Sequence, residues 1–129
     1  MVTREVTTSN APKATGAYSQ GVMSGEWCFV SGQVGWDANR MGLESRSPGE
    51  QTMQALENIA QILASAGMSL RDVVKTTVYL ADMSTFGEVN SAYEQAFRDA
   101  GAVFFPARTT IGANIRVAVE VDAIAQSKS

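Results

Sequence analysis

The 129-residue chain has no histidine and one cysteine. Without an imidazole, neither a Ser-His-Asp triad nor a Cys-His pair can form within one chain. Zinc sites built from His and several Cys are likewise excluded, and no metal is expected. Cys28 has no intrachain disulfide partner, which suits a reducing compartment. Neither the GxxxxGK(S/T) nor the GxGxxG phosphate cradle occurs. No apolar run reaches the ~18 residues of a transmembrane helix, and the polar start, with Glu5, lacks a signal-peptide core. A cytoplasmic protein with no membrane partner is expected. Cations are also in short supply: 10 Lys+Arg stand against 13 Asp+Glu, for a net charge of -3. Phosphate-backbone binding calls for a basic face, so nucleic acid is not expected as a partner. The chemistry left is that of Arg, Glu/Asp, Tyr, Ser, Lys, backbone groups and water.

With 45% hydrophobic and 18% charged residues, the chain can bury a core. Its length predicts one domain over 1–129. Ser47-Pro48-Gly49-Glu50 reads as a capping box with Pro at the first helical position. The stripe Met53, Leu56, Ile59, Ala60, Leu63 follows at helical spacing, and Gly67 is a stop. A second helix is predicted from about Thr85 to Ala100, with Phe86, Val89, Tyr93 and Phe97 on one face and Gly101 ending it. Strands are predicted over Tyr18 to Met23 and Glu26 to Gly32 as a hairpin, then Val73 to Leu80, Arg108 to Ile111 and Ile115 to Ala125. The order β, β-hairpin, α, β, α, β, β gives an α+β fold, two helices covering one face of a mixed sheet. Met23, Met53, Met68 and Met83 read as core filler. Trp27 and Phe29 oppose Cys28 and Val30; Val74, Val78 and Leu80 oppose Val73 and Tyr79. Strands apolar on both faces suggest that another subunit covers the second face.

Several residues admit two readings each. Asn90, among Phe86, Tyr93 and Phe97, is either a core amide bonded to backbone or the support of a site wall. Arg108, after Phe105-Pro106-Ala107, suits bidentate carboxylate binding; its alternatives are an ion pair, with Glu120 the candidate, or a solvated strand end. Glu120, sharing the less apolar strand face with Asp122, is a general base, a water holder or a solvated carboxylate. Tyr18-Ser19-Gln20-Gly21 and Ser31-Gly32-Gln33 are turn chemistry or places where a ligand nears the backbone. Cys28 reads as inert packing, and Lys75 as a snorkelling strand lysine rather than a Schiff-base amine.

Taken together, Ala11-Pro12, Gly16-Ala17-Tyr18-Ser19-Gln20-Gly21, Val30-Ser31-Gly32-Gln33, Gln51-Thr52, Leu56-Glu57-Asn58-Ile59, Asp72 to Leu80, Phe86, Val89-Asn90, Tyr93, Phe105-Pro106-Ala107-Arg108 and Val119 to Ala125 resemble the YjgF/RidA (UK114) family, in order over nearly the whole chain. The resemblance implies a chorismate-mutase-like α+β fold. It implies a homotrimer with a central barrel and three clefts between subunits. It also implies hydrolysis of enamines and imines such as 2-aminoacrylate to 2-keto acids and ammonia, with no cofactor and a small-molecule carboxylate as substrate. By position, Arg108 matches the family's carboxylate-binding Arg and Glu120 the acidic residue that positions water. Tyr18 matches the cleft Tyr, Ser31 and Gly32 the pocket wall, and Asn90 the helix Asn near the site. Three features depart from the family pattern: a short Arg108–Glu120 segment, Gly16-Ala17-Tyr18 for Gly-Pro-Tyr, and Thr110 for a Cys. The short segment motivates a second reading, a pathway-specific deaminase of aminomuconate- or aminoacrylate-like substrates. A trimer that binds 2-keto acids without catalysis is a third. RNA cleavage, a label some relatives carry, is a fourth, and the acidic pI and missing His oppose it.

Overall fold

A computed structural model describes residues 2–128. Six strands form one mixed sheet: β1 (Thr3–Val6), β2 (Gly21–Ser24), β3 (Trp27–Gln33), β4 (Val73–Leu80), β5 (Ala107–Gly112) and β6 (Val119–Gln126). Helix α1 (Pro48–Ala64) links β3 to β4, and α2 (Phe86–Asp99) links β4 to β5. The spatial order is β1-β2-β3-β6-β4-β5. Each neighbouring pair is antiparallel except β4 and β5, which are parallel. The β3-to-β4 and β4-to-β5 crossovers step the same way across the sheet. Right-handed crossovers stepping one way carry their helices on one face. Both helices do pack there, against each other and the sheet, so the expected α+β architecture holds.

The capping box at α1 forms as anticipated: the Ser47 hydroxyl accepts from the Glu50 amide and the Glu50 carboxylate from the Ser47 amide. Such a cap contributes about 1 kcal/mol. Gly67 and Gly101, the expected stops, follow the helices at positive φ. Leu56, Ile59 and Leu63 of the expected α1 stripe are buried and Ala60 packs against the core, but the buried face is broader than expected and leaves Met53 out. Thr52, Ala55, Leu56, Asn58, Ile59, Ile62 and Leu63 face the core, while Met53 points outward. Met83 and Phe86 are also exposed, whereas Met23 and Met68 are buried as filler. The core proper lies between these helix faces and Cys28, Val30, Val78, Leu80, Val119, Val121, Ala123 and Ala125 of the sheet. Burial pushes the Cys28 thiol pKa up, in keeping with inert packing.

Three features of the strands differ from expectation. β2 begins at Gly21, so Tyr18 stands ahead of the hairpin strand. β6 begins at Val119, not Ile115. The reason is topological: β5 and β6 flank β4, so residues 113–118 must cross the end of β4 instead of extending. Ala113 N–H donates to the Leu80 carbonyl there, and Ala81 N–H to the Ala118 carbonyl. Third, a bulge at Val74 breaks the alternation of β4: Val73 faces Ala125 and Lys75 faces Ile124. Val73 is therefore buried with Val78 and Leu80, and Val74 is exposed. The sheet's other face carries the second apolar set expected, and it is Trp27 and Phe29 that lie there, 38% and 46% exposed. Among the described residues no helix is long and apolar enough to cross a membrane.

Candidate active site

Arg108 lies on edge strand β5, opposite Thr76 of β4. Thr76 is buried on the helix side and shares a 2.7 Å hydrogen bond with the Tyr93 hydroxyl. Arg108 shares that side. Its Nη2 donates to Asn90 Oδ1 at 2.8 Å, and the guanidinium lies 4.7 Å from the Tyr93 ring centroid and 5.6 Å from that of Phe86. Burial raises the Tyr93 pKa, only partly offset by the Thr76 bond and the Arg108 charge, so the ring beneath the cation is a neutral phenol suited to cation–π contact. Asn90 donates in turn to Glu94 Oε1 at 3.1 Å. Asn90 is therefore half-buried beside Arg108, orienting a side chain and not bonding backbone. Phe105, Pro106 and Glu94 complete a pocket of about 190 Å³. Among the described residues the one ion pair joins Arg98 and Glu94, and Arg108 has no carboxylate partner.

Glu120 lies on central strand β6, where Val119, Val121 and Ala123 face the helices and Glu120 and Asp122 face away. Beside it β3 bulges. Val30 faces Ala123 and Gln33 faces Val121, so one extra residue is taken up at Ser31-Gly32. The bulge brings the Gly32 backbone onto the Glu120 side chain: a Cβ there would collide with the carboxylate, 2.8 Å from Cδ. Ser31 Oγ donates to the Ser19 carbonyl at 2.6 Å, tying the Tyr18 segment to the bulge. The buried Gln20 side chain fastens the preceding stretch through Thr8, Ala11 and Pro12. The result is a cleft of about 440 Å³ shared by Pro12, Tyr18, Ser31, Gly32 and Glu120. The Glu120 pKa is raised, first by burial and then by the Asp122 charge. Asp122 accepts from the Tyr79 hydroxyl at 3.0 Å.

The six residues singled out from sequence thus form two groups. Tyr18, Ser31, Gly32 and Glu120 share one cleft, and Asn90 and Arg108 share another. Within one chain the groups lie on opposite faces of the sheet with β4 between them. The Arg108–Glu120 ion pair is therefore ruled out within the chain. Lys75 is a strand lysine as expected, its Nζ donating to the Thr76 carbonyl at 2.9 Å.

Sequence reasoning missed Trp36 and Arg40, which line the Glu120 cleft. Arg40 has φ 59°, the one non-glycine residue at positive φ among those described. Such a conformation costs on the order of 1 kcal/mol. Its guanidinium lies 4.2 Å from the Trp36 ring centroid, and Nη1 donates to the Lys13 carbonyl at 3.1 Å. The Asp37-Ala38-Asn39 turn signal marks a loop but not its destination. Helix α1 sets that, through Asn58 on the Val34 and Trp36 carbonyls and Gln51 on those of Leu43 and Arg46. Among the described residues no cluster of three His, Cys, Asp or Glu side chains is placed to hold a metal ion.

The family model described as Endoribonuclease L-PSP matches residues 8–127. The chain belongs to this family, the YjgF/RidA family. A RutC family protein of Pyrococcus horikoshii is 40% identical over 121 residues, 92% of this chain and 93% of that one. A 2-iminobutanoate/2-iminopropanoate deaminase of Salmonella typhimurium is 38% identical over 127 residues, 96% and 98% of the two chains. The crystal structure of E. coli TdcF with bound serine superposes with a TM-score of 0.91 at 31% identity, covering 97% and 99%. The YjgF/RidA fold is thus shared throughout the chain, and imine deaminase is an activity carried at family level.

Proposed function

We propose that this YjgF/RidA protein is an enamine/imine deaminase that hydrolyses 2-aminoacrylate-type enamines and 2-imino acids to 2-keto acids and ammonia. We further propose that it works as a homotrimer whose sites lie between subunits. The observation that carries the reading is Arg108. It is a cation held by Asn90 and Tyr93 at a small pocket, with no carboxylate of its own among the described residues. That arrangement suits an incoming carboxylate. Because Glu120 faces the other way, a site using both groups needs Arg108 from one copy and Glu120 from another. The exposed Trp27 and Phe29 supply an apolar face for such an assembly.

In that composite cleft Arg108 binds the substrate carboxylate, and Asn90 and Tyr93 fix its direction. An enamine first takes a proton from solvent at carbon to become the iminium ion. Glu120 then holds a water and accepts its proton as the oxygen attacks the imine carbon. Glu120 passes that proton to the nitrogen of the resulting carbinolamine, the carbon–nitrogen bond breaks as the hydroxyl loses its proton to solvent and becomes the carbonyl, and ammonia and a 2-keto acid result. The raised Glu120 pKa makes it a stronger base than a free carboxylate, and Tyr18, Ser31 and Gly32 wall the water in. The substrate is already labile, so positioning supplies most of the acceleration. RNA cleavage is disfavoured by the absence of His and the net charge of -3.

The test is imine hydrolysis. An amino-acid oxidase generates 2-imino acids and semicarbazide traps the survivors. Wild type should suppress trapping and Arg108→Ala should not. Ligand binding with no turnover above buffer would replace the deaminase with a 2-keto-acid-binding trimer.

A further inference from the structure

We propose that Arg40 recognises a second acidic group on the ligand, so that the cleft prefers 2-imino and 2-keto diacids over their monoacid counterparts. This rests on reading the Glu120 cleft as the ligand site. Arg40 lines that cleft with Glu120, yet lies outside the part of the chain where the α-carboxylate pocket is built. Its placement is enforced: the backbone is held in the left-handed region at a residue with a side chain, the guanidinium rests on Trp36, and one donor is fixed on the Lys13 carbonyl. Strain of this kind persists where the surrounding structure over-determines it, and it collects at ligand sites. Arg40 also lacks a carboxylate partner among the described residues, whose one ion pair is Arg98–Glu94. A guanidinium with one donor tied back keeps donors free for an oxyanion. With Arg108 assigned to the carboxylate next to the reacting carbon, a second fixed cation in the same assembled cleft matches a ligand with an acid at each end.

The test uses stable products that differ only in a terminal carboxylate or methyl group: 2-oxoglutarate against 2-oxopentanoate, and 2-oxoadipate against 2-oxohexanoate. Calorimetry on the intact protein should show at least one diacid binding about tenfold tighter than its partner, the scale of one charge-assisted hydrogen bond. Arg40→Gln should collapse that ratio to near one, and Arg40→Lys should restore part of it. Equal binding within both pairs, or a preference that survives Arg40→Gln, overturns the proposal. Imine hydrolysis is read separately. Turnover without diacid preference refutes the role of Arg40 and leaves the deaminase standing. An Arg40-dependent preference without turnover refutes the deaminase and leaves Arg40 as the diacid contact.

Discussion

Arg108 stands on an edge strand and leans on helix α2, whereas Glu120 stands on a central strand and faces away from both helices. The first group is organised by side chains of one helix: Asn90 and Tyr93 lie three residues apart on α2 and reach Arg108 together. The second is organised by backbone. A bulge in β3 and the tethered 8–20 segment shape the space around Glu120, and the side chains there mostly bond to main-chain carbonyls. A helix-built group around Arg108 and a sheet-built cleft around Glu120 thus occupy opposite faces of one sheet. On the proposed reading each chain holds two half-sites, which assembly would join.

The strongest way to break that comparison is to disable each half in turn. Arg108→Ala should lower imine turnover about a thousandfold, on the scale of two charge-assisted bonds, with an unchanged circular dichroism spectrum. Glu120→Gln should lower it by about a hundredfold or more. Refolding the two inactive variants together should recover activity, because some interfaces then pair an intact Arg108 with an intact Glu120. No recovery from well-folded mixed oligomers would overturn the composite site.

The next effect concerns the sheet-built half alone. Gly32→Ala places a methyl where the Glu120 carboxylate lies. The carboxylate must move, and turnover should fall about tenfold to a hundredfold with little change in substrate KM. Asn90→Ala addresses the helix-built half and should do the reverse. It frees the Arg108 guanidinium to swing, raising KM about tenfold while leaving kcat nearer wild type. Steady-state kinetics on the two variants separates them.

The smallest effect is a displacement along the pH axis. Burial and then Asp122 raise the Glu120 pKa, so the ionised base is lost on acidification at a higher pH than for a free Glu. Asp122→Asn removes one of the two causes and should move the acid limb of kcat/KM to lower pH. Stability carries the matching sign. A carboxyl whose pKa is higher folded than unfolded disfavours the folded state once it ionises, so this contribution is unfavourable above the raised pKa and vanishes below the unfolded value. Glu120→Gln should therefore stabilise the protein at neutral pH and not at strongly acidic pH, as thermal melts can show.

Local chemistry was legible in the sequence and partner-dependent geometry was not. The Ser47–Glu50 cap and the limits of β4 follow from adjacent residues and needed nothing else. So did the alternation that sets Trp27 and Phe29 opposite Cys28 and Val30, though not which pair faces the helices. The bulges at Val74 and Ser31-Gly32 arise from how β3 and β4 meet β6, a strand that arrives late in the chain and inserts between them. That insertion also puts Glu120 and Arg108 on opposite faces, and no spacing along the chain encodes it. Met53 and Met83 show that apolar character does not by itself mean burial, and Thr52 and Asn58 that polar side chains can be fully packed. Arg40 was missed because its loop is aimed by Gln51 and Asn58, amides on a helix that begins seven residues after Met41.

Gln20 gives the cleft a particular kind of rigidity. Its one carboxamide accepts from the Thr8 amide at 2.7 Å and donates to the carbonyls of Thr8, Ala11 and Pro12, while its own backbone leads directly into β2. A surface arm anchored this way does not fray residue by residue. It detaches as a unit, when this buried side chain gives up all of its bonds together. The Thr8 N–H should therefore exchange with solvent as slowly as an amide inside the sheet, despite lying outside any strand, and the wall that bears Pro12 shares the lifetime of the sheet's hydrogen bonds.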